Sequence, residues 1–149
     1  MATRSNIAYR TPEGKIRSVY CHWDGYPAHN GEMLRRYYQE ARKIAQLIEL
    51  GSISALREHI HYTGEHDFDS PQEDVTIFYS RDRGEQLSVQ EYDDIPSWID
   101  DMEEYAYLWN GQEWLVNDHG RKDENGFPVF EIVEYVVTDE QRKQIGWED

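Results

Sequence analysis

Residues 104–118 read EYAYLWNGQEWLVND, two alternating aromatic and aliphatic runs that flank Asn110-Gly111. Alternation sends every second side chain to the same face of a strand. Asn-Gly is the dipeptide most favoured in two-residue hairpin turns, because type I′ geometry needs positive φ at both central positions. The run predicts strands near 104–109 and 113–117, so any fold of this chain must accommodate a sheet built from bulky rings. A second hairpin is expected from RSNIAYR (4–10) and IRSVYCHW (16–23), joined by TPEGK with Pro and Gly at turn spacing. VTIFYS (75–80) reads as the central strand, a short strand is expected around Leu87–Val89, and FPVFEIVEYVV reads as a further one.

Helical periodicity begins after Gly31. Met33, Leu34, Tyr37 and Tyr38, then Ala41, Ile44, Ala45, Leu47 and Ile48, recur at three- and four-residue intervals, which predicts an amphipathic helix broken near Gln39 and stopped at Gly51. SISALRE (52–58) opens on serines able to accept a backbone N–H and reads as a short second helix. SWIDDMEE suggests a brief acidic helix opened by Pro96 and Ser97, and DEQRKQIG a closing one. HIHYTGEHDFDSPQED and DHGRKDENG lack any period and read as loops. With no repeat or linker, the expectation is one α+β domain over residues 1–149. It would have an antiparallel or mixed sheet, an N-terminal hairpin, one or two helices on one face and a C-terminal aromatic hairpin.

Composition narrows the functional classes. Mean hydropathy is −0.90, yet 5 Trp, 11 Tyr and 4 Phe supply enough ring area for a core, which argues against global disorder. No run reaches the roughly 18 apolar residues of a membrane span, and the opening MATRSNIAYR lacks the apolar core of a secretory leader, so a cytoplasmic protein is expected. A single cysteine, Cys21, excludes an internal disulfide and a cysteine-cluster zinc site. The net charge of −15 is unevenly placed: residues 1–75 carry 9 basic and 11 acidic side chains, residues 76–149 carry 6 and 19. The first twenty residues are locally basic through Arg4, Arg10, Lys15 and Arg17. Direct nucleic-acid binding is disfavoured, because nonspecific affinity for a polyphosphate comes from cations that release counterions. A small anion or a basic partner protein remains open.

Three clusters carry candidate chemistry. At the end of the second predicted strand stands Cys21-His22-Trp23-Asp24-Gly25-Tyr26-Pro27. There His22 and Asp24 can exchange hydrogen bonds with a ligand, while Trp23 and Tyr26 can stack on it; the competing reading is a tight corner whose rings are core anchors. Cys21 and His22 point to opposite faces of a strand and cannot form a nucleophilic pair, so no catalytic residue is assigned. After VTIFYS, Arg81 and Arg83 could fork onto a phosphate with Asp82 and Glu85 orienting them, or form a salt-bridged turn. The stretch 91–104, EYDDIPSWIDDMEE, holds seven acids and no base. Its Asp93, Asp94, Asp100, Asp101, Glu103 and Glu104, with Trp98 as an apolar anchor, could imitate a row of phosphates, or could be a solvated face. His59, His61, His66 and Asp67 match no zinc spacing, and neither metal nor cofactor is expected.

The block SNIAYRTPEGKIRSVYCHWDGYPAHNGEMLRRYY, with its Ser5-Asn6-Ile7 start, its Tyr20–Pro27 corner and Gly31, followed later by the Phe78–Glu85 turn, resembles a group of short phage, prophage and plasmid proteins. The resemblance covers roughly the first sixty residues and the 77–85 turn. It implies a small α+β protein of a mobile element, and from that class follows the expectation of a non-enzymatic inhibitor of host defence. In one form it sequesters a nucleotide-like ligand between the His22–Tyr26 corner and the Arg81–Glu85 turn. In the other it is an acidic decoy for a basic, nucleic-acid-binding host protein. A homodimer is compatible with either.

Overall fold

Along the chain of the computed structural model, which describes residues 2–62, 72–102 and 104–147, the elements begin with β1 (Ser5–Arg10), β2 (Ile16–Cys21) and a π-helical turn (Pro27–Gly31). Then come α1 (Glu32–Tyr37), α2 (Ala41–Glu49), β3 (Ile53–Ala55), β4 (Ile77–Phe78) and α3 (Tyr79–Arg83). They continue with β5 (Gln90–Tyr92), α4 (Ile95–Asp100), β6 (Tyr105–Trp109), β7 (Trp114–Asp118), β8 (Glu131–Ile132), α5 (Val133–Val136) and α6 (Asp139–Ile145). All eight strands join one mixed sheet in an α+β arrangement.

The two sequence-predicted hairpins form its centre. β1 pairs antiparallel with β2 from Arg10↔Ile16 to Ser5↔Cys21, and β6 lies parallel to β1 from Ser5↔Tyr105 to Tyr9↔Trp109. β7 returns antiparallel to β6, and β8 closes that edge. The outer edge of β2 is shared: β3 runs parallel beside Cys21, while β5 runs antiparallel beside Ile16–Ser18. No helix among the described residues is long and apolar enough to cross a membrane.

Several local expectations give way to tertiary context. Within 52–58, Ile53–Ala55 form a strand rather than a helix, because Ile53 and Leu56 are buried and the carbonyls of Ile53 and Ser54 accept the N–H groups of His22 and Trp23. VTIFYS is not central: only Ile77–Phe78 is strand, at the sheet edge. Asp82 reaches back to accept the Phe78 N–H at 2.8 Å, and the chain coils into α3, ending at Gly84 with φ 68°. The Asn110 turn is not type I′, since Gly111 takes positive φ but Asn110 does not. Instead the Asn110 carboxamide oxygen accepts the N–H groups of Gln112 and Glu113 at 2.9 and 2.8 Å. FPVFEIVEYVV keeps only two strand residues before α5 begins. The strand expected near Leu87–Val89 falls slightly later, at Gln90–Tyr92.

The sheet has two unequal faces. Odd-numbered β1 residues turn Ile7 towards a core shared with Val19, Tyr107, Val116, Leu34 and Leu47 under the helices. Trp114 is sealed there, its indole donating to the Tyr38 carbonyl at 2.8 Å. Even-numbered residues turn Ala8 the other way, to a smaller cluster with Ile16, Ala106 and Leu108 beneath Trp98 and Ile99 of α4. One short helix covers that face only in part, which leaves room beside it.

Candidate functional site

The DGYP corner is built by close approach. Asp24 adopts φ 58°, and the Gly25 N–H donates to the Thr3 carbonyl at 2.8 Å. A Cβ on Gly25 would lie 2.7 Å from the Arg4 carbonyl carbon and oxygen, so only glycine fits. Tyr107 donates its phenol to the Gly25 carbonyl at 2.6 Å, and the buried Asn30 amide reaches the Trp23 carbonyl at 3.1 Å and Cys21 Sγ at 3.3 Å. Burial pushes the Cys21 thiol up to about 12 despite the Asn30 bond, which removes it as a nucleophile near neutral pH. The two rings expected to stack on a ligand diverge: Tyr26 packs partly on the core, while Trp23 is 45% exposed, edge-on to His22 at 4.7 Å. His22 Nδ1 lies 2.6 Å from the Tyr20 hydroxyl.

The arginines of the second block do not present a paired fork. The Arg81 guanidinium donates to both carboxylate oxygens of Asp82 at 3.0 Å, to the Thr76 carbonyl at 2.9 Å and to the Ile60 carbonyl. It also lies over the Phe78 and Tyr62 rings at 4.7 and 4.8 Å, so it clamps its own loop. Asp82 is occupied in turn by Phe78 N–H and the Tyr62 hydroxyl. Arg83 rests against the Tyr79 ring, and Glu85 is exposed. Burial raises the Tyr20 phenol, and Tyr79 raises it further.

The acidic stretch is largely spent inside the molecule. Asp93 pairs with Lys15, Asp100 with Lys122 at 2.8 Å, and Glu104 with Arg4 Nε at 3.0 Å while also accepting the Arg4 N–H. Asp94 caps α4 by accepting the Ser97 N–H at 2.9 Å, a bond that holds its carboxyl below the ordinary value. Trp98, expected as a partner anchor, is fully buried instead, its indole donating to Ser18 Oγ at 3.0 Å. Glu103 lies outside the described residues, as do His66 and Asp67. Of the histidine group, His59 stands with Glu58 and Asp74, their ligand atoms within 4.8 Å of one another, and His59, His61 and Asp74 border one hollow with Lys43 and Gln46.

Where α4 stops covering the second face, a polar cavity of about 320 Å³ remains. Its floor is the register pair Asn6↔Tyr20, and its walls are Gln90 and Tyr92 of β5, Asp101 and Met102 after α4, and the Arg4–Glu104 pair. Burial, together with the hydrogen bond to Asp101, pushes the Tyr92 phenol up to about 12, so both phenols stay protonated donors at neutral pH. This cavity joins the N-terminal block to the acidic stretch, which the sequence had offered as rivals. Asn6 was legible as a candidate only through hairpin register, since residues summing to 26 face each other and Asn6 and Tyr20 share Ala8's face. Comparison of the chain with family models, with curated proteins and with solved structures returns no match.

Proposed function

We propose that the protein binds and holds a small nucleoside-type ligand in the polar cavity of the second face. The observation that supports this reading is the make-up of the cavity wall. Asn6 and Gln90 offer carboxamides, Tyr20 and Tyr92 offer rings whose hydroxyls are held by His22 and Asp101, and one guanidinium faces two carboxylates. Carboxamides place a donor beside an acceptor, the pattern that pairs with base edges, and phenol rings accept a stacked base. With Asp101 and Glu104 against Arg4 alone, the wall repels a polyphosphate, so recognition runs through base and sugar. The resemblance to phage proteins adds the biological class: an accessory protein that sequesters a nucleotide-type signal of host defence. The decoy reading draws less support, because Asp93, Asp100 and Glu104 are already neutralised by Lys15, Lys122 and Arg4.

Thermal denaturation with a panel of nucleosides, nucleoside monophosphates and cyclic nucleotides tests this. A ligand at a hundred times its Kd adds about 2.7 kcal/mol to the folded state. A base-bearing ligand should raise the midpoint of wild type, and Asn6→Leu and Gln90→Leu should each abolish that rise, whereas Arg83→Ala should keep it. If no base-bearing ligand moves the wild-type midpoint, the proposal fails.

A further inference from the structure

We infer that a groove at the opposite end of the sheet, on its first face, is a binding site for a small aromatic anion. The starting point is the fate of the cations. The chain has 15 lysines and arginines against 30 acids, so an unpaired cation is the uncommon state. Arg4, Lys15, Arg17, Arg81 and Lys122 each hold a carboxylate, and Lys43 and Arg57 are tied to backbone carbonyls. Among the described lysines and arginines, only the side chains of Arg10, Arg42 and Lys143 have no ion pair, hydrogen bond or ring contact. Lys143 lies on α6, far along the chain, whereas Arg10 and Arg42 border the same cavity.

That cavity measures about 630 Å³. Its floor is apolar: Tyr9 at the end of β1, Ile44 and Ala45 on α2, and the 7%-exposed Trp109, whose ring is braced by Trp114 at 5.5 Å. Pro12 and Gly111 bring the two hairpin turns to its rim, and a Cβ at Gly111 would meet only open space. The acid beside it is compensated. Tyr9 donates its hydroxyl to Glu49 at 3.3 Å, and Glu49 is gripped by Arg17 through both oxygens at 2.6 and 2.7 Å. Two uncommitted arginines therefore border this apolar floor on a protein of net charge −15, Arg42 from α2 and Arg10 from the end of β1, where its register with Ile16 leaves its exposed side chain at the rim. A planar ring bearing a carboxylate or phosphate matches both features: the ring covers the floor and the anion takes the guanidinium donors. A neutral ring would leave the arginines unused, and a bare anion would leave the floor wet.

This site does not depend on the polar cavity. Arg10 lies four residues along β1 from Asn6, about 13 Å at strand rise, and the two cavities share no lining residue.

The experiment is an amide ¹H–¹⁵N titration of the full chain with phenyl phosphate, benzoate, benzyl alcohol and inorganic phosphate in parallel. At least one aromatic anion should give saturable shifts confined to residues 9–12, 41–45 and 109–111, and the tighter of the two identifies the head group. Benzyl alcohol and inorganic phosphate should bind at least tenfold more weakly. An Arg10→Ala/Arg42→Ala variant, altered only at exposed side chains, should keep the wild-type spectrum elsewhere and lose about tenfold or more in affinity. Ala45→Trp, which fills the floor and leaves both charges, should lose the ring-dependent part. The inference is overturned if neither aromatic anion saturates below about 10 mM, if benzyl alcohol binds equally well, if the double arginine variant binds unchanged, or if the shifts fall on Asn6, Tyr20 and Gln90 instead.

Discussion

The two faces of the sheet are held by different physics. The first is sealed by aliphatic and aromatic mass from α1, α2 and α5, with Trp114 and Tyr107 wholly enclosed. The second has one six-residue helix, pinned by Trp98 and fringed by ion pairs that tie the basic N-terminal edge to the acidic stretch. A region that reads as free acidic surface is thus a structural layer, and its charges complement those of the first twenty residues. The difference also places the cavities: incomplete cover on the second face leaves a polar hollow, whereas the hairpin tips of the first face leave an apolar groove.

Removing the two buried tryptophans is the most severe challenge to that contrast. Trp114→Ala and Trp98→Ala each delete a large, fully buried side chain, with an expected loss of about 3–5 kcal/mol. Each also strands an acceptor, the Tyr38 carbonyl or Ser18 Oγ. If the faces fold as one unit, chemical denaturation should show one transition, shifted comparably in both variants. A Trp98→Ala protein that keeps the wild-type transition would make the acidic layer dispensable.

Ion pairs also differ between the faces. On the first, Glu32 is fully buried and receives Arg35 and Arg36 at 2.8 and 2.9 Å, with Arg142 of α6 at 3.3 Å. Burial pushes the Glu32 carboxyl up, but the hydrogen bonds from Arg35 and Arg36 outweigh it and hold it at about 2. Its folded value lies below the unfolded one near 4.5, so its stabilisation is complete above pH 4.5 and drains away as pH falls towards 2. Glu32→Gln should cost roughly 2–3 kcal/mol at pH 7, less than the 3–5 of a fully buried pair because Arg35 and Arg36 reach water. The melting midpoint of Glu32→Gln followed from pH 6 to pH 2 should converge on that of wild type; parallel curves would show that Glu32 is not the group responsible.

What the sequence made legible was local. Alternating runs and turn residues placed β1, β2, β6 and β7 within a residue or two, and DEQRKQIG placed α6. It failed where distant partners decide. SISALRE has the capping serines of a helix, but Ile53 is drawn beside Cys21 into the sheet, and VTIFYS is cut short by Asp82 folding back on Phe78. The site suffered the same limit. Arg81 reads as an anion fork until Ile60, Thr76 and Asp82 are seen to consume it, while Arg10 is one of four N-terminal cations until the other three are seen to be paired, and Arg42 attracts no notice at all. Which charges are free is a property of the whole fold.

The smallest predicted effect concerns sign. The fringe pairs Lys15–Asp93 and Lys122–Asp100 are solvent-exposed, and such pairs contribute little and weaken with salt. Against them stands the self-repulsion of a net charge of −15, which salt also screens, in the stabilising direction. If the fringe dominates the second face, sodium chloride should lower the melting midpoint; if Trp98 and the sheet dominate and the pairs only offset surplus charge, it should raise it. Because acids outnumber bases two to one while the exposed pairs are few and worth little, a small rise is expected between low and physiological ionic strength, on the order of a degree or two. A fall over the same range would mean that the ion-pair fringe, rather than the buried indole, holds the acidic layer in place.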